Sequence, residues 1–224
     1  MFITDDGSAS LKSSHFGETY HSTFGAVDES MHVFIHAGLR EWYRQNPKNH
    51  ELHIFEMGFG TGLNAVLTLQ WAETMQIHVI YHTIELFPLS HEQLNGLNHA
   101  NFVNESLQEQ VHNIQFGNFA HHVSAREISP YFSIIKQQIS LLDIEPPNNY
   151  FDVIFFDAFS PNVQPELWTE TVFQKVYNAS RKNAILTTYC AKGDVRHAMK
   201  AAGFDVKKIP GPVGKREITR AKKI

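Results

Sequence analysis

Apolar and polar positions along the chain alternate between two rhythms. Residues 52–57 (LHIFEM) set Leu52, Ile54, Phe55 and Met57 in a run short enough for a buried strand. Residues 77–84, 131–142, 151–156 (FDVIFF) and 184–189 have the same character, and 151–156 is the strongest of them. The run 131–142 is interrupted near residues 136–138. Between these runs lie stretches that predict helices. One covers 31–44, with Val33, Phe34, Ala37 and Leu39 on one face and Ser30 placed to cap it. Others cover 63–75, 90–102 with a second helix to about 111, 169–180, and 194–202, stopped by Gly203. Residues 115–130 give no clear signal. Pro146-Pro147-Asn148-Asn149 is a turn. Residues 204–209 and 216–221 can pair as a closing hairpin across Pro210-Gly211-Pro212.

Strands that alternate with helices imply a mostly parallel, doubly wound α/β sheet. A closing antiparallel hairpin suits the Rossmann-like class I methyltransferase variant of that architecture. Residues 51–224 are expected to carry this fold, with residues 1–50 as an extension packed on the sheet. Ligands in such sheets sit at the carboxyl ends of the strands, where Gly58, Glu85, Asp143 and Asp157 all fall.

Residues 52–62 read LHIFEMGFGTG. A buried strand that breaks into Gly58, Gly60 and Gly62 before a helix makes a notch the size of a nucleotide, because backbone without Cβ turns tightly and lies close to a ligand. The pattern also occurs in plain strand-to-helix turns. Two acids narrow the reading. Glu56 is misplaced beside phosphates but welcome beside a cation, which favours S-adenosyl-L-methionine over NAD or ATP. Glu85 follows its strand about 25 residues beyond the glycines, the spacing of a carboxylate that takes ribose hydroxyls.

Composition adds limits. Forty-two per cent hydrophobic content over 224 residues suits one soluble domain. No apolar run approaches a membrane span, and the polar, acidic start does not read as a secretory signal. The single cysteine, Cys190, rules out an internal disulfide framework and fits a reducing cytoplasm. The 14 histidines are scattered, His121-His122 being the adjacent pair, and none has metal-site spacing with an acid. The net charge of −4 conceals an asymmetry. Residues 207–224 carry seven basic residues and one acid, whereas residues 1–206 carry twelve basic and twenty-two acidic ones, net −10. A basic segment on an acidic body is a candidate phosphate contact or a solubilising tail.

Asp157-Ala158-Phe159-Ser160-Pro161 follows the strongest strand, so the Asp157 carboxylate is expected to face the cofactor cleft. Methyl transfer from a sulfonium needs an aligned neutral lone pair, and positioning does most of the work. A lysine-like amine titrates near 10.4, so a group that takes a hydrogen bond from its N–H helps to present it. Asp157 fits that role, and fits less well that of a strong base acting alone, because a nearby negative charge raises the amine's pKa; capping the following turn is its plain alternative. Pro161, Pro165 and Trp168 suggest a rigid rim, on which Trp168 either stacks against a base or plugs helix to sheet. Tyr189 can line the cleft, with Lys192 and Arg196 near the same rim.

These blocks carry a family resemblance over nearly the whole chain. Glu18-Thr19-Tyr20-His21-Ser22, Asp28-Glu29-Ser30, the Glu56–Asn64 loop, Glu85 with Pro88-Leu89, Asp157–Pro161 with Pro165–Thr169, and Gly214-Lys215-Arg216-Glu217 resemble the MnmC-like tRNA 5-methylaminomethyl-2-thiouridine methyltransferase family. The resemblance implies S-adenosyl-L-methionine-dependent N-methylation of the 5-aminomethyl group of a wobble (2-thio)uridine in tRNA. It implies Asp157 beside the acceptor amine, and Glu56, Gly58, Gly60, Gly62, Glu85 and a strand-end acid around the cofactor. That acid is Asp143, although one alignment puts Ser140 there. The substrate side is assigned to Tyr20, Phe159, Pro161, Trp168, Lys192, Lys215 and Arg216. The family's FAD-binding oxidoreductase part is not represented, so a separate FAD-dependent oxidoreductase is the expected upstream partner. Rival readings are a polyamine aminopropyltransferase-like enzyme, a small-molecule amine N-methyltransferase and a non-enzymatic RNA-binding scaffold. The Ala-Phe-Ser-Pro loop after Asp157 lacks the extra acids a polycation needs, and the intact glycines and Glu85 argue against a blocked cofactor site.

Overall fold

The computed structural model describes residues 1–120 and 124–224; the His121-His122 pair lies outside the described residues. Two short strands, β1 (Phe2–Ile3) and β2 (Ala9–Ser10), pair antiparallel at the start of the chain. One continuous helix follows: α1 (Ala26–Ser30), a π-helical stretch (Met31–Arg40) and α2 (Glu41–Gln45). The remaining elements are β3 (Glu51–Met57), α3 (Leu63–Met75), β4 (His78–Ile84), α4 (His91–Leu94), α5 (Gln108–Phe116), β5 (Arg126–Ser129), β6 (Phe132–Gln137), β7 (Phe151–Phe156), α6 (Glu170–Ala179), β8 (Ser180–Thr188), α7 (Gly193–Ala201), β9 (Phe204–Pro210) and β10 (Glu217–Lys223).

Eight strands form one sheet in the order β5-β6-β4-β3-β7-β8-β10-β9. The five central strands are parallel, and antiparallel partners close both edges: β5 on β6, and β10 between β8 and β9. The expected Rossmann-like architecture with a C-terminal hairpin is therefore present. The β5 edge comes from the stretch that gave no sequence signal. Strands β6 and β7 are buried along their whole length, as both faces of the parallel sheet are covered by helices.

Two expected elements differ. The first helix begins at Ala26 rather than after Ser30, and Gly25 precedes it. Ser30 is 1% exposed inside the helix, whose apolar face, Val33, Phe34 and Leu39, is buried. That helix lies close on the sheet at Gly38, where an added Cβ would stand 2.9 Å from Thr187 Oγ1 and 3.3 Å from the Phe155 ring. The helix expected over 90–102 shrinks to four residues behind a Ser90 capping box, with a 3₁₀ turn at His99–Phe102. Asn98 explains the break. Its side chain accepts from Ala9 N (2.7 Å) and donates to Gly7 O (3.0 Å), tying the chain to the N-terminal segment instead of a helical ladder.

Strand register sets up the site. Met57 pairs with both Ile84 and Phe156. The next residues, Gly58, Glu85 and Asp157, are therefore level at the carboxyl edge. Backbone bonds from Gly58 N to Ile84 O (3.1 Å) and from Asp157 N to Met57 O (3.0 Å) extend that register one step beyond the strands.

Candidate active site

A cavity of about 570 Å³ opens at this edge, within the range of small-molecule sites. Gly58, Gly60, Glu85 and Asp157 line it from the sheet side, and Tyr20, Glu29 and Lys215 from the two chain ends. The glycines are demanded by geometry. Gly58 has φ +89°, and a Cβ there would collide with the Asp157 carbonyl. Gly62 opens α3 at φ +78°, and a Cβ there would stand 2.8 Å from the Phe59 ring.

Each carboxylate at the edge is held in a defined way. Glu85 accepts from Gly60 N (3.1 Å) and Phe87 N (2.9 Å), so it clamps the glycine loop. Burial raises its pKa. Asp157 Oδ2 accepts from Asn64 Nδ2 (2.9 Å). Burial, together with the nearby Glu29 charge, pushes the Asp157 carboxyl up to about 7. Glu18 reaches across from the N-terminal segment to take Ser160 Oγ (2.6 Å) and Ser160 N (3.3 Å), pinning the loop after Asp157. Tyr20 packs edge-on to Phe159 at 5.0 Å, and burial beside Glu85 pushes its hydroxyl up to about 12. Five acids and one lysine line the cavity. That charge balance fits a cationic ligand, and with the glycine loop and Glu85 it fits S-adenosyl-L-methionine.

A family profile described as S-adenosyl-L-methionine-dependent methyltransferase matches residues 98–224. The chain belongs to that family. The methyltransferase is 32% identical over 214 residues to the tRNA 5-methylaminomethyl-2-thiouridine biosynthesis bifunctional protein MnmC of Methylobacillus flagellatus, a match spanning 92% of this chain and 32% of the relative. It is 32% identical over 236 residues to the protein of the same name from Cupriavidus metallidurans, spanning 98% of this chain and 33% of the relative. The chain thus spans about a third of the length of these curated relatives. Among solved structures it is similar to MNMC2 from Aquifex aeolicus, with a TM-score of 0.77, 25% identity, and coverage of 98% of this chain and 68% of the other. Spermidine synthase from Thermotoga maritima shares the fold at a TM-score of 0.56 and 13% identity, covering 97% of this chain and 69% of the other.

Several residues assigned from the methyltransferase's sequence stand elsewhere than expected. Glu56 is fully buried behind the cavity, where it accepts from Asn64 Nδ2 (3.1 Å) and Thr83 Oγ1 (2.8 Å). Burial pushes it up to about 8, so at neutral pH it is mostly a neutral acid and offers no charge to a cation. Gly62 lies outside the lining and serves the turn into α3. Asp143 is exposed and outside the lining, whereas Ser140 lines the cavity; the chain turns at residues 140–144, through Asp143 N and Ile144 N to Ser140 O, and carries the acid away. Trp168 is 5% exposed and packs on Phe156 at 4.8 Å. It is the plug, and its Nε1 holds Phe159 O at 2.9 Å. Pro161, Lys192 and Arg216 stand outside the lining. Lys192 donates to Asn162 Oδ1 at 2.6 Å.

The basic C-terminal segment is not a free tail. Strand β10 lies inside the sheet, and its lysines are engaged: Lys222 with Gln45, and Lys223 with Asn149, Tyr177 O and Ser180 O. Lys208 pairs with Glu217 at 2.8 Å and Arg220 with Glu41 at 3.8 Å.

Three site partners escaped sequence reasoning. Asn64 sits in the glycine motif, but only the fold shows its amide bridging Glu56 and Asp157. Glu29 is buried and accepts from Ser22 N at 2.7 Å. Lys136 is 6% exposed beneath the loop, donating to Ile114 O (2.9 Å) and Gly117 O (2.7 Å), with the Phe59 ring 4.1 Å away. Its signal was the interruption of an otherwise apolar strand.

Proposed function

We propose that this methyltransferase transfers a methyl group to the 5-aminomethyl nitrogen of a (2-thio)uridine at the tRNA wobble position, giving 5-methylaminomethyl-(2-thio)uridine. The observation that carries the reading is Asp157, level with Gly58 at the cofactor edge and lining an acidic cavity. The names of the MnmC relatives support the choice of acceptor.

Gly58, Gly60 and Glu85 would hold S-adenosyl-L-methionine, which when bound supplies an electrophilic methyl group on a sulfonium. The acceptor enters as an ammonium, because its ordinary pKa resembles that of lysine. It must lose one proton to expose a lone pair. The Asp157 carboxylate, raised towards neutrality, is matched to take that proton and hold the remaining N–H in line. Held in line by Asp157, the amine would take the methyl group that the cofactor would supply and become a secondary ammonium, the cofactor's sulfur being left as a neutral thioether. The wall formed by Tyr20, Phe159 and Ser160 limits water at the nitrogen.

The upstream amine would come from an FAD-dependent oxidoreductase activity. The reaction belongs in the cytoplasm, where tRNA is modified; among the described residues no helix is long and apolar enough to cross a membrane. Nucleoside mass spectrometry of tRNA from a strain lacking the protein tests the reading. Unmethylated 5-aminomethyl-(2-thio)uridine should accumulate and disappear when the purified chain and cofactor are added. An unchanged nucleoside profile would overturn it.

A further inference from the structure

Among the described residues the cavity has one lysine and no arginine in its lining, and that lysine already has a place. Lys215 Nζ is bonded to the Glu29 carboxylate and lies 4.3 Å from the centre of the Tyr189 ring. A carboxylate at one side and an aromatic face at the other make a cage for an ammonium. The cage is rigid. Glu29 sits on α1, is 7% exposed, and is fixed by Ser22 N. Tyr189 follows β8, and its hydroxyl donates to Ala158 O at 2.9 Å, beside Asp157 in the chain. The lysine side chain is the more exposed partner, 31% against 9% for the Glu29 side chain. It is carried on the turn between β9 and β10, next to Gly214 at φ +82°.

We propose that Glu29 and Tyr189 form the subsite that recognises the ammonium of the acceptor amine, and that Lys215 occupies it until the acceptor arrives. This rests on the amine-methylation reading above and adds the residues that select a cation. An incoming alkylammonium carries the same charge and donors as the lysine it displaces. Exchange therefore leaves Glu29 paired throughout, which matters because a buried carboxylate without a partner is strongly destabilising. Lys215, once released, stands at the cavity mouth, free to meet a phosphate. Glu29 and Tyr189 bind and orient; Asp157 takes the proton.

The test compares two tRNAs that differ only in the aminomethyl group, bound to the full chain with S-adenosylhomocysteine so that no turnover occurs. The wild-type chain should prefer the amine-bearing tRNA by a few-fold, about threefold to tenfold: the ammonium replaces the contacts Lys215 gives up, and the gain is the phosphate contact that the released lysine makes. Glu29→Gln should abolish that preference, and because it frees Lys215 the affinity for the plain tRNA should equal or exceed that of the wild-type chain. The charge-swapped pair E29K/K215E separates recognition from a purely structural ion pair. It restores the pair but puts a cation in the fixed position, so the preference should stay lost. Recovery of the preference in the swapped pair, or its survival in Glu29→Gln, would overturn the subsite. Methyl transfer by a wild-type chain that shows no preference would overturn the subsite alone. Absence of methyl transfer to either tRNA would overturn the underlying function and the subsite with it.

Discussion

Glu56 should make the protein less stable as pH rises, and Glu56→Gln should remove the effect. The carboxyl is fully buried and raised from its ordinary 4.5 to about 8, first by burial and further by the Asp157 charge. Between those values the folded chain keeps a proton that the unfolded chain releases, so stability falls as pH rises. Below pH 4.5 the neutral acid incurs no penalty, and above about 8 the penalty is complete. At about 1.4 kcal/mol per pH unit, the loss is about 3 kcal/mol at pH 7 and about 5 kcal/mol above pH 8. Glutamine keeps the shape, accepts from Asn64 through its oxygen and can donate to Thr83 through its nitrogen. The variant should match the wild-type chain near pH 4.5 and exceed its stability by up to about 3 kcal/mol at pH 7. Urea unfolding followed at pH 5, 6, 7 and 8 measures this directly. Parallel stability–pH curves for the two chains would show that Glu56 is ionised in the fold, and would refute the reasoning.

Asp157→Asn should retain S-adenosyl-L-methionine binding but lose about 100-fold or more in transfer rate, the usual worth of a positioned proton acceptor. Because the working form is the carboxylate, wild-type kcat/KM should rise with pH through about 7, and the variant should lack that limb in a pH–rate profile. Lys136→Met should leave the carbonyls of Ile114 and Gly117 without their donor and free the Phe59 ring; a loss of about 1–3 kcal/mol in urea melts is expected, with a raised KM for S-adenosyl-L-methionine. Lys192→Ala and Arg216→Ala, at exposed positions outside the cavity, should each reduce the salt dependence of tRNA affinity by about one counterion, read from binding titrations at several salt concentrations.

The chain's sequence determined the architecture and several of the residues that line its carboxyl edge. Short apolar runs alternate with helical periods, so the parallel sheet follows from burial alone, and the glycines and strand-end acids Glu85 and Asp157 mark its carboxyl edge. Helix limits were less legible where a distant partner overrode local preference: Asn98 is held by Gly7 and Ala9, and Ser30 is drawn into a helix that packs on Phe155 and Thr187. Tertiary structure alone decided the charge states and the partners. Glu56 looks like a cation's neighbour in the linear chain, yet its side chain points into the protein, where burial neutralises it. The basic C-terminal residues look like a tail, yet strand pairing places them on β9, on β10 and on the turn between these strands, with Lys215 on Glu29. Periodicity records which residues leave water. Pairing between groups far apart in the chain, Glu29 with Lys215 or Asn64 with Asp157, depends on strand register and on the approach of the two chain ends, and neither leaves a local trace.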